Sequence, residues 1–301
     1  MRPRKPFKKK AVKPESLTSG SPWRTAWRRF CGSRVSLAAL IVLALICLCC
    51  ALAPLVARWD PLAINTAARY ASPSIAHPFG CDYLGRDLLS RVLYGGRTTL
   101  RIAFCATALA ALSGSALGVL AGFCGGRTDL LLMRLAEVLS AVPSLLLVIL
   151  IEGLMGWGGG NFLYAIAIAA APSFLRLMRA SVMNVMGREY IEAARALGVS
   201  PAGIIRWHVI HNVAAPMLIH LTGVLSESIL TCTLMSYIGV GVTQPAPEWG
   251  NLVYDGYAAM RQYPHTALFP AAVIILCVLA VNLAGSGLRD ALDSREAGNH
   301  A

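Results

Sequence analysis

The chain has 301 residues, of which 56% are hydrophobic and only 14% are charged. Soluble domains carry roughly 25% charged residues, so this composition excludes an ordinary soluble enzyme or binding module and indicates a membrane protein. The net charge is +12, and all five lysines lie within the first 13 residues.

The first 34 residues form a basic segment that has few apolar side chains and several prolines and serines. Such a composition predicts a disordered tail. A run of lysines and arginines can bind nucleic acid, but cations next to an apolar span normally keep that flank on the cytoplasmic side. We therefore expect a cytoplasmic tail near the anionic lipids of the bilayer and no nucleic-acid partner.

Uncharged apolar stretches longer than about 18 residues predict membrane-spanning helices. Residues 35–57, 102–126 and 266–288 each exceed that length, and weaker apolar stretches lie between them. We predict an all-α polytopic protein with about six transmembrane helices and no soluble domain. The predicted spans are 35–57, 100–123, 134–154, 162–179, 214–238 and 266–287.

The distribution of lysine and arginine predicts that both termini are cytoplasmic. With the N-terminus inside, the inner segments hold 20 of these residues and the outer segments hold 7, as the positive-inside rule requires. The transmembrane domain then covers residues 35–295, between the basic tail 1–34 and a short cytoplasmic tail at 296–301.

The polar stretch at residues 181–212 forms the long inner loop between the fourth and fifth predicted spans. Its alanines and leucine favour a helix, and Gly198 can supply the left-handed residue that ends one. Ser200 and Pro201 follow as an N-cap and a first helical residue, so a second short helix is expected from Pro201 to about Val209. A helix–glycine–helix elbow can dock into a groove on another protein. An ordinary interfacial loop is equally consistent with these residues.

The segment after the first span contains Asp82, Gly85, Arg86 and Asp87. The two aspartates and the arginine are close enough in sequence for a local ion pair, which contributes only about 0–1 kcal/mol where it is exposed. Bracing of the external segment is the favoured interpretation. Contact with an extracytoplasmic binding protein is the alternative.

Glu227 falls inside the fifth predicted span. A carboxylate in hydrocarbon is costly unless it is paired or faces water, so Glu227 is expected to line a pathway or to be a satisfied structural acid.

His208, His211 and His220 lack a strict ligand spacing, and the chain contains no Gly-Lys dipeptide for a phosphate-binding loop. We therefore expect no metal site, no cofactor and no ATP hydrolysis by this chain.

Five segments resemble those of importer-type ABC transporter permeases, specifically the C-type permease of the peptide/nickel family of dipeptide and oligopeptide importers. Glu192-Ala193-Ala194, with Gly198 after three further residues, resembles the EAA motif that sits on the ATPase in these permeases. The other segments occur in the family order between residues 35 and 295. They are HPFGCDYLGRDLLSR at 77–91, PSLLL at 143–147, GVGVTQPAPEWG at 239–250 and LRDALD at 288–293.

The resemblance implies a permease subunit that forms the translocation pathway of an ATP-driven importer for dipeptides or oligopeptides. The implied location is the plasma membrane of a bacterium or archaeon, which is the inner membrane in a Gram-negative cell. The implied partners are a second permease subunit, two ABC ATPase subunits and an extracytoplasmic solute-binding protein. The residues implied to couple to the ATPase are Glu192, Ala193, Ala194, Gly198, Ser200, Pro201, Ile204 and Ile205.

The chain departs from the family pattern at three places. Ile210-His211-Asn212 stands where Leu-Pro-Asn is usual, Cys81 stands where Thr or Ser is usual, and Cys232 lies near the place of an acid in the fifth span. Substrate assignments that depend on that acid do not transfer to this chain.

Other functions remain as alternatives to a peptide importer. A nickel or other metal-complex importer of the same family shares these motifs. A proton- or sodium-driven carrier would need more buried charge and inverted repeats. An integral membrane enzyme would need a cluster of polar catalytic groups at one depth, and the sequence indicates none.

The charge distribution predicts that Ser74, in the segment after the first span, lies outside the cell. On a cysteine-free background, the Ser74→Cys variant is expected to react with a membrane-impermeant maleimide added to intact cells. Labelling of that cysteine only from the cytoplasmic side would show that the orientation is wrong.

Overall fold

The computed structural model describes residues 22–156 and 161–292, and this part of the chain is built from helices. No β-strand occurs within these two ranges. A 3₁₀ turn at Thr66–Ala68 lies in the long irregular segment after the first span, and a π-helix occupies Ile204–Val209. The α-helices are α1 (Pro22–Gly32), α2 (Arg34–Ala51), α3 (Ala53–Val56), α4 (Leu88–Cys124), α5 (Gly126–Ala141), α6 (Ser144–Met155), α7 (Asn161–Met186), α8 (Glu189–Ala196), α9 (Pro201–Gly203), α10 (Ile210–Tyr237), α11 (Trp249–Tyr257) and α12 (His265–Leu292).

Five helices of the described ranges are long and apolar enough to cross a bilayer. They are α2, α4, α7, the uninterrupted run Pro201–Tyr237 and α12. The pair α5–α6 adds a sixth crossing if its two halves, bent by 98°, count as one span. The predicted all-α membrane architecture with about six spans is therefore confirmed.

The third span is not the straight helix predicted for residues 134–154. Helix α5 ends at Ala141, Val142 is extended with ψ 131°, and α6 begins at Ser144. Pro143 explains the break, because a proline disfavours helical backbone at the residue before it and has no N–H to bond to the preceding turn.

Three further boundaries differ from the prediction. Helix α4 begins at Leu88 rather than near residue 100, because the Asp87 side chain accepts a hydrogen bond from Ser90 N and caps it. The helix expected as a separate unit at 201–209 continues into the fifth span. The segment between the last two spans contains α11, which the sequence did not indicate.

Part of the basic segment predicted to be disordered is helical. In α1, Ala26 and Phe30 are buried in a small apolar cluster with Ala291 of α12, while the three arginines of α1 are exposed. The expectations for residues 1–21 and 293–301 lie outside the described residues.

Helices α4 and α7 pack closely along a stripe of glycines on α4, namely Gly114, Gly118 and Gly122. A Cβ at Gly118 would lie 2.6 Å from the carbonyl oxygen of Leu175 and 2.7 Å from Cβ of Met178. Small residues at intervals of four let helix backbones approach each other in a membrane, where packing rather than the hydrophobic effect holds helices together. The stripe therefore sets the distance between α4 and α7.

Gly118→Ala is expected to lower the melting temperature of the detergent-solubilised subunit. Alanine favours a helix by about 1 kcal/mol over glycine, but the added methyl meets backbone atoms that can move only if α4 and α7 separate. Gly223→Ala in α10 is the matched control, because nothing lies within 4 Å of a Cβ at that position. A melting temperature of Gly118→Ala that equals or exceeds that of wild type would contradict the close packing.

Candidate functional site

The polar stretch between the fourth and fifth spans forms two helical arms around a glycine, and we call residues 189–209 the elbow. Helix α8 ends at Ala196, and Gly198 has a left-handed backbone with φ 79°. Bonds from Gly198 N to Arg195 O and from Val199 N to Ala194 O close the helix end. The predicted glycine stop is confirmed.

Ser200 and Pro201 begin the second arm as predicted. The Ser200 hydroxyl accepts a hydrogen bond from Gly203 N at 3.2 Å, and Pro201 takes the first helical position, where a missing N–H leaves nothing unsatisfied. The arm then passes through the π-helix into α10. The second arm and the fifth span are therefore one helical unit that extends from Pro201 to Tyr237.

One face of the elbow packs on the helix bundle. Ile191 and Val209 are completely buried and belong to one apolar cluster with Val182 of α7. Ala194 and Ile204, which the sequence assigned to a docking surface, are also buried. Ile204 belongs to the same apolar cluster and helps to hold the elbow on the bundle, and neither residue forms part of the exposed surface.

The opposite face of the elbow is open. Ile205 is half-buried. Leu197 and Trp207 are exposed to 85% and 71%, although both are apolar. Exposed apolar patches can mark surfaces that contact another protein or the membrane, and Leu197 and Trp207 are candidates for such a contact. The exposed members of the predicted docking set are Glu192, Ala193, Gly198, Ser200 and Pro201.

The chain leaves the elbow through Ile210-His211-Asn212. His211 stands where the family that the sequence resembles usually has a proline. Asn212 Nδ2 donates to His208 O at 2.6 Å and to the Tyr190 hydroxyl at 3.4 Å. The rings of Tyr190 and His208 lie 5.8 Å apart. These contacts join the two arms, and the helix continues through the position of the missing proline.

The break between α5 and α6 opens a cavity of about 230 Å³ that α7 and α10 also line, and we call it the intramembrane cavity. Glu227 of α10 is exposed on this cavity. Ser144 Oγ, at the start of α6, donates a long hydrogen bond of 3.5 Å to its carboxylate. Glu227 therefore lines a polar cavity at a broken helix.

Arg176 of α7 is the second charged residue on the intramembrane cavity, and the sequence did not single it out. Its Nη1 donates to Ser140 Oγ at 2.7 Å. His220 bonds through Nε2 to Ser173 Oγ, another lining group, at 2.9 Å. Within the described residues, no ion pair joins Arg176 to Glu227.

The segment between the first two spans contributes to a buried cluster of four charges, Asp82, Arg86, Arg91 and Asp255. Asp82 Oδ2 lies 2.7 Å from Arg86 Nε and 3.4 Å from Arg91 Nε. Asp255 Oδ2 lies 3.7 Å from Arg86 Nη2 and 3.4 Å from Arg91 Nη2. The side chain of Arg91 is only 1% exposed and that of Asp255 is 9% exposed. The local Asp82–Arg86 pair expected from the sequence is present but buried, and Asp255 of α11, which the sequence did not indicate, extends it to a four-charge cluster.

Asp87 and Gly85 shape the same segment. Asp87 accepts a hydrogen bond from Ser90 N at 2.7 Å and bonds to His77 Nδ1 at 2.8 Å. Gly85 has φ 73°, and a Cβ there would lie 1.8 Å from the carbonyl oxygen of Asn65. The four predicted residues of this segment thus come together, and their geometry favours bracing over a free binding surface.

Glu248 is a buried acid that the sequence did not indicate as important. Its carboxylate accepts hydrogen bonds from Thr99 Oγ1 at 2.6 Å and from Gly250 N at 2.7 Å, and it caps α11. Burial raises the pKa of the Glu248 carboxyl above its ordinary value, and these hydrogen bonds offset only part of that rise. Cys232 Sγ lies 3.9 Å away, so a carboxylate from the next segment lies beside the residue near which the sequence comparison expected an acid in the fifth span.

Comparison with known families gives two matches that together cover most of the chain. The family described as "binding-protein-dependent transport system inner membrane component" matches residues 114–298. The family described as "N-terminal TM domain of oligopeptide transport permease C" matches residues 21–73.

Several curated proteins are similar over nearly their whole length. The chain is 36% identical to the dipeptide transport system permease protein DppC of Alkalihalophilus pseudofirmus, over 93% of this chain and 92% of that protein. It is 35% identical to the oligopeptide transport system permease protein OppC of Bacillus subtilis, over 93% and 92%. It is 38% identical to the glutathione transport system permease protein GsiD of Escherichia coli, over 94% and 93%.

Solved structures share the fold at low sequence identity. The inward-facing MetNI methionine ABC transporter aligns with a TM-score of 0.55 and 17% identity, over 68% of this chain and 97% of that chain. An amino acid ABC transporter with histidines aligns with a TM-score of 0.51 and 19% identity, over 66% and 92%.

Asp255→Ala is expected to destabilise the subunit by about 3–5 kcal/mol, because it leaves two buried arginines with one aspartate. Arg134→Ala is the matched control, since the Arg134–Glu137 pair is 71% and 54% exposed and such pairs contribute about 0–1 kcal/mol. The measurement is the denaturant midpoint of each purified variant in detergent. Equal midpoints would contradict the bracing role of the cluster.

Proposed function

Because the chain belongs to the family of binding-protein-dependent transport system inner membrane components, we propose that it is one of two permease subunits of an ATP-driven ABC importer for dipeptides or oligopeptides. It is a multi-pass protein of the bacterial plasma membrane. Its relatives are named for transport of dipeptides, oligopeptides and glutathione, which are all short peptides. These names support the substrate class.

The elbow is the observation that carries the proposal. Its inner face is fixed to α7, its outer face exposes Glu192, Leu197 and Trp207, and its second arm is continuous with α10. A helix of 37 residues is about 55 Å long at about 1.5 Å per residue. A partner that pushes on the outer face therefore acts directly on a helix that also lines the intramembrane cavity.

We assign the outer face of the elbow to an ABC ATPase subunit on the cytoplasmic side. The assembly then consists of this chain, a second permease subunit, two ATPase subunits and an extracytoplasmic solute-binding protein. ATP hydrolysis belongs to the ATPase subunits, because this sequence has no Gly-Lys dipeptide for a phosphate-binding loop. Closure of the ATPases would move the elbows and switch the pathway between outward and inward access.

The alternative functions have weaker support. A nickel or metal-complex importer would share the fold, but the relatives compared above are named for peptides. A proton- or sodium-driven carrier and an integral membrane enzyme do not agree with membership of this family.

Two elbow variants test the coupling role. Glu192→Lys reverses a charge on the outer face, and Gly198→Val forces a β-branched residue into a left-handed conformation at a cost of about 1–2 kcal/mol. Both are expected to reduce ATP-driven peptide uptake by the assembled transporter at least about tenfold, and uptake is measured alongside co-purification of the ATPase. Neither substitution lies in a spanning segment, so both variants should still insert.

Two controls separate the cause from general damage. Gly198→Asn should retain uptake, because asparagine tolerates the left-handed region and nothing lies within 4 Å of a Cβ at this position. Glu137→Lys makes the same charge reversal at an exposed residue of α5 outside the elbow and should also retain uptake. Normal uptake and normal co-purification in both test variants would refute the coupling assignment.

A further inference from the structure

The intramembrane cavity carries two opposite charges that do not neutralise each other. Glu227 projects from α10 and Arg176 from α7, and both line the same space. Each of them is hydrogen-bonded to a serine: Glu227 to Ser144 at 3.5 Å and Arg176 to Ser140 at 2.7 Å. Charges of opposite sign in a membrane normally pair directly, so their separation leaves both available to a ligand that enters the cavity.

Hydroxyl groups and a helix break supply the rest of the polar lining. Ser140 and Ser144 lie on either side of the break at Val142-Pro143. Ser173 lies on α7 and bonds to His220 of α10. Irregular backbone at membrane depth is tolerated where it lines a cavity. The cavity thus offers one anion, one cation and several hydrogen-bonding groups within about 230 Å³.

This combination fits a zwitterion. We propose that the intramembrane cavity binds the two charged ends of a short peptide, with the α-amino group at Glu227 and the α-carboxylate at Arg176. This proposal rests on the peptide-importer function above. An extended dipeptide spans about 7 Å, at about 3.5 Å per residue, and its amide can bond to the serines.

The size of the cavity fits a shared site. Small-molecule pockets usually occupy about 300–1,000 Å³, and the cavity here, about 230 Å³, is smaller. Glu227 and Arg176 are also exposed in the single chain. The cavity is therefore one wall of the site, and the second permease closes the other side.

The test measures binding to the assembled transporter without its solute-binding protein, so that the selectivity of that protein plays no part. Three ligands are compared: dialanine, N-acetyl-dialanine and dialanine amide. Wild type should bind dialanine at least tenfold more tightly than either blocked peptide, which corresponds to about 1.4 kcal/mol. Glu227→Gln should weaken dialanine at least tenfold and leave N-acetyl-dialanine unchanged. Arg176→Gln should weaken dialanine and leave dialanine amide unchanged.

Matched variants distinguish recognition from damage. Glu227→Asp keeps the charge and should retain most of the affinity, whereas Glu137→Gln removes an exposed carboxylate outside the cavity and should change nothing. An equal loss for all three ligands would assign a structural role to Glu227 or Arg176 and overturn the proposal. Undetectable binding of dialanine by wild type would overturn it as well.

A parallel uptake assay separates this proposal from the function beneath it. The uptake assay contains the solute-binding protein and ATP. If wild type takes up dialanine there but the binding assay shows no discrimination among the three ligands, the zwitterion site alone is refuted. If wild type takes up none of the peptides tested, both the importer function and the site are refuted.

Discussion

In hydrocarbon, every backbone N–H and C=O must be bonded within the protein, because no water is available to bond them. The rest of the structure follows this constraint. The spanning segments are unbroken helices, and the long irregular segment lies between the ends of α3 and α4. The exception is Val142-Pro143, where the helix is interrupted. That interruption lines the intramembrane cavity, which is the environment in which an irregular backbone can persist at membrane depth.

Charged side chains are also costly to bury unless they are paired. Some charged residues of this chain form ion pairs, and two others face the intramembrane cavity. Asp82, Arg86, Arg91 and Asp255 are buried together and compensate one another, so they tie α11 to the start of α4. Arg179 of α7 forms a two-pronged ion pair with Asp129, which ties the start of α5 to the same bundle. Glu227 and Arg176 contact serines instead and face the cavity. The paired charges brace this fold, whereas Glu227 and Arg176 face the intramembrane cavity without a direct ion pair between them.

Local chemistry made much of this structure predictable, and long-range contacts made the rest unpredictable. Gly198, Ser200 and Pro201 act through their own backbone and nearest neighbours, so the sequence shows the elbow directly. The break in the third span also had a local signal in Pro143, but the length of the apolar stretch favoured a straight helix. Asp255 bonds to Arg91 across 164 residues, and no periodicity or motif connects such positions. Arg176 was missed for the same reason, since its position on the cavity depends on the bend between α5 and α6.

The contacts around the elbow tie several helices of the bundle to one another. The elbow is fixed to α7 by a buried apolar cluster, and α5 is fixed to α7 by the Asp129–Arg179 pair. The second arm of the elbow is continuous with α10, so α5, α7 and the inner part of α10 are linked to one another. Helix α6 lies beyond the break and lacks a side-chain cap at its start. Buried Val148 of α6 shares an apolar cluster with Phe162 and Ile166 of α7, so the break at Val142-Pro143 lies between two helices that α7 holds in place.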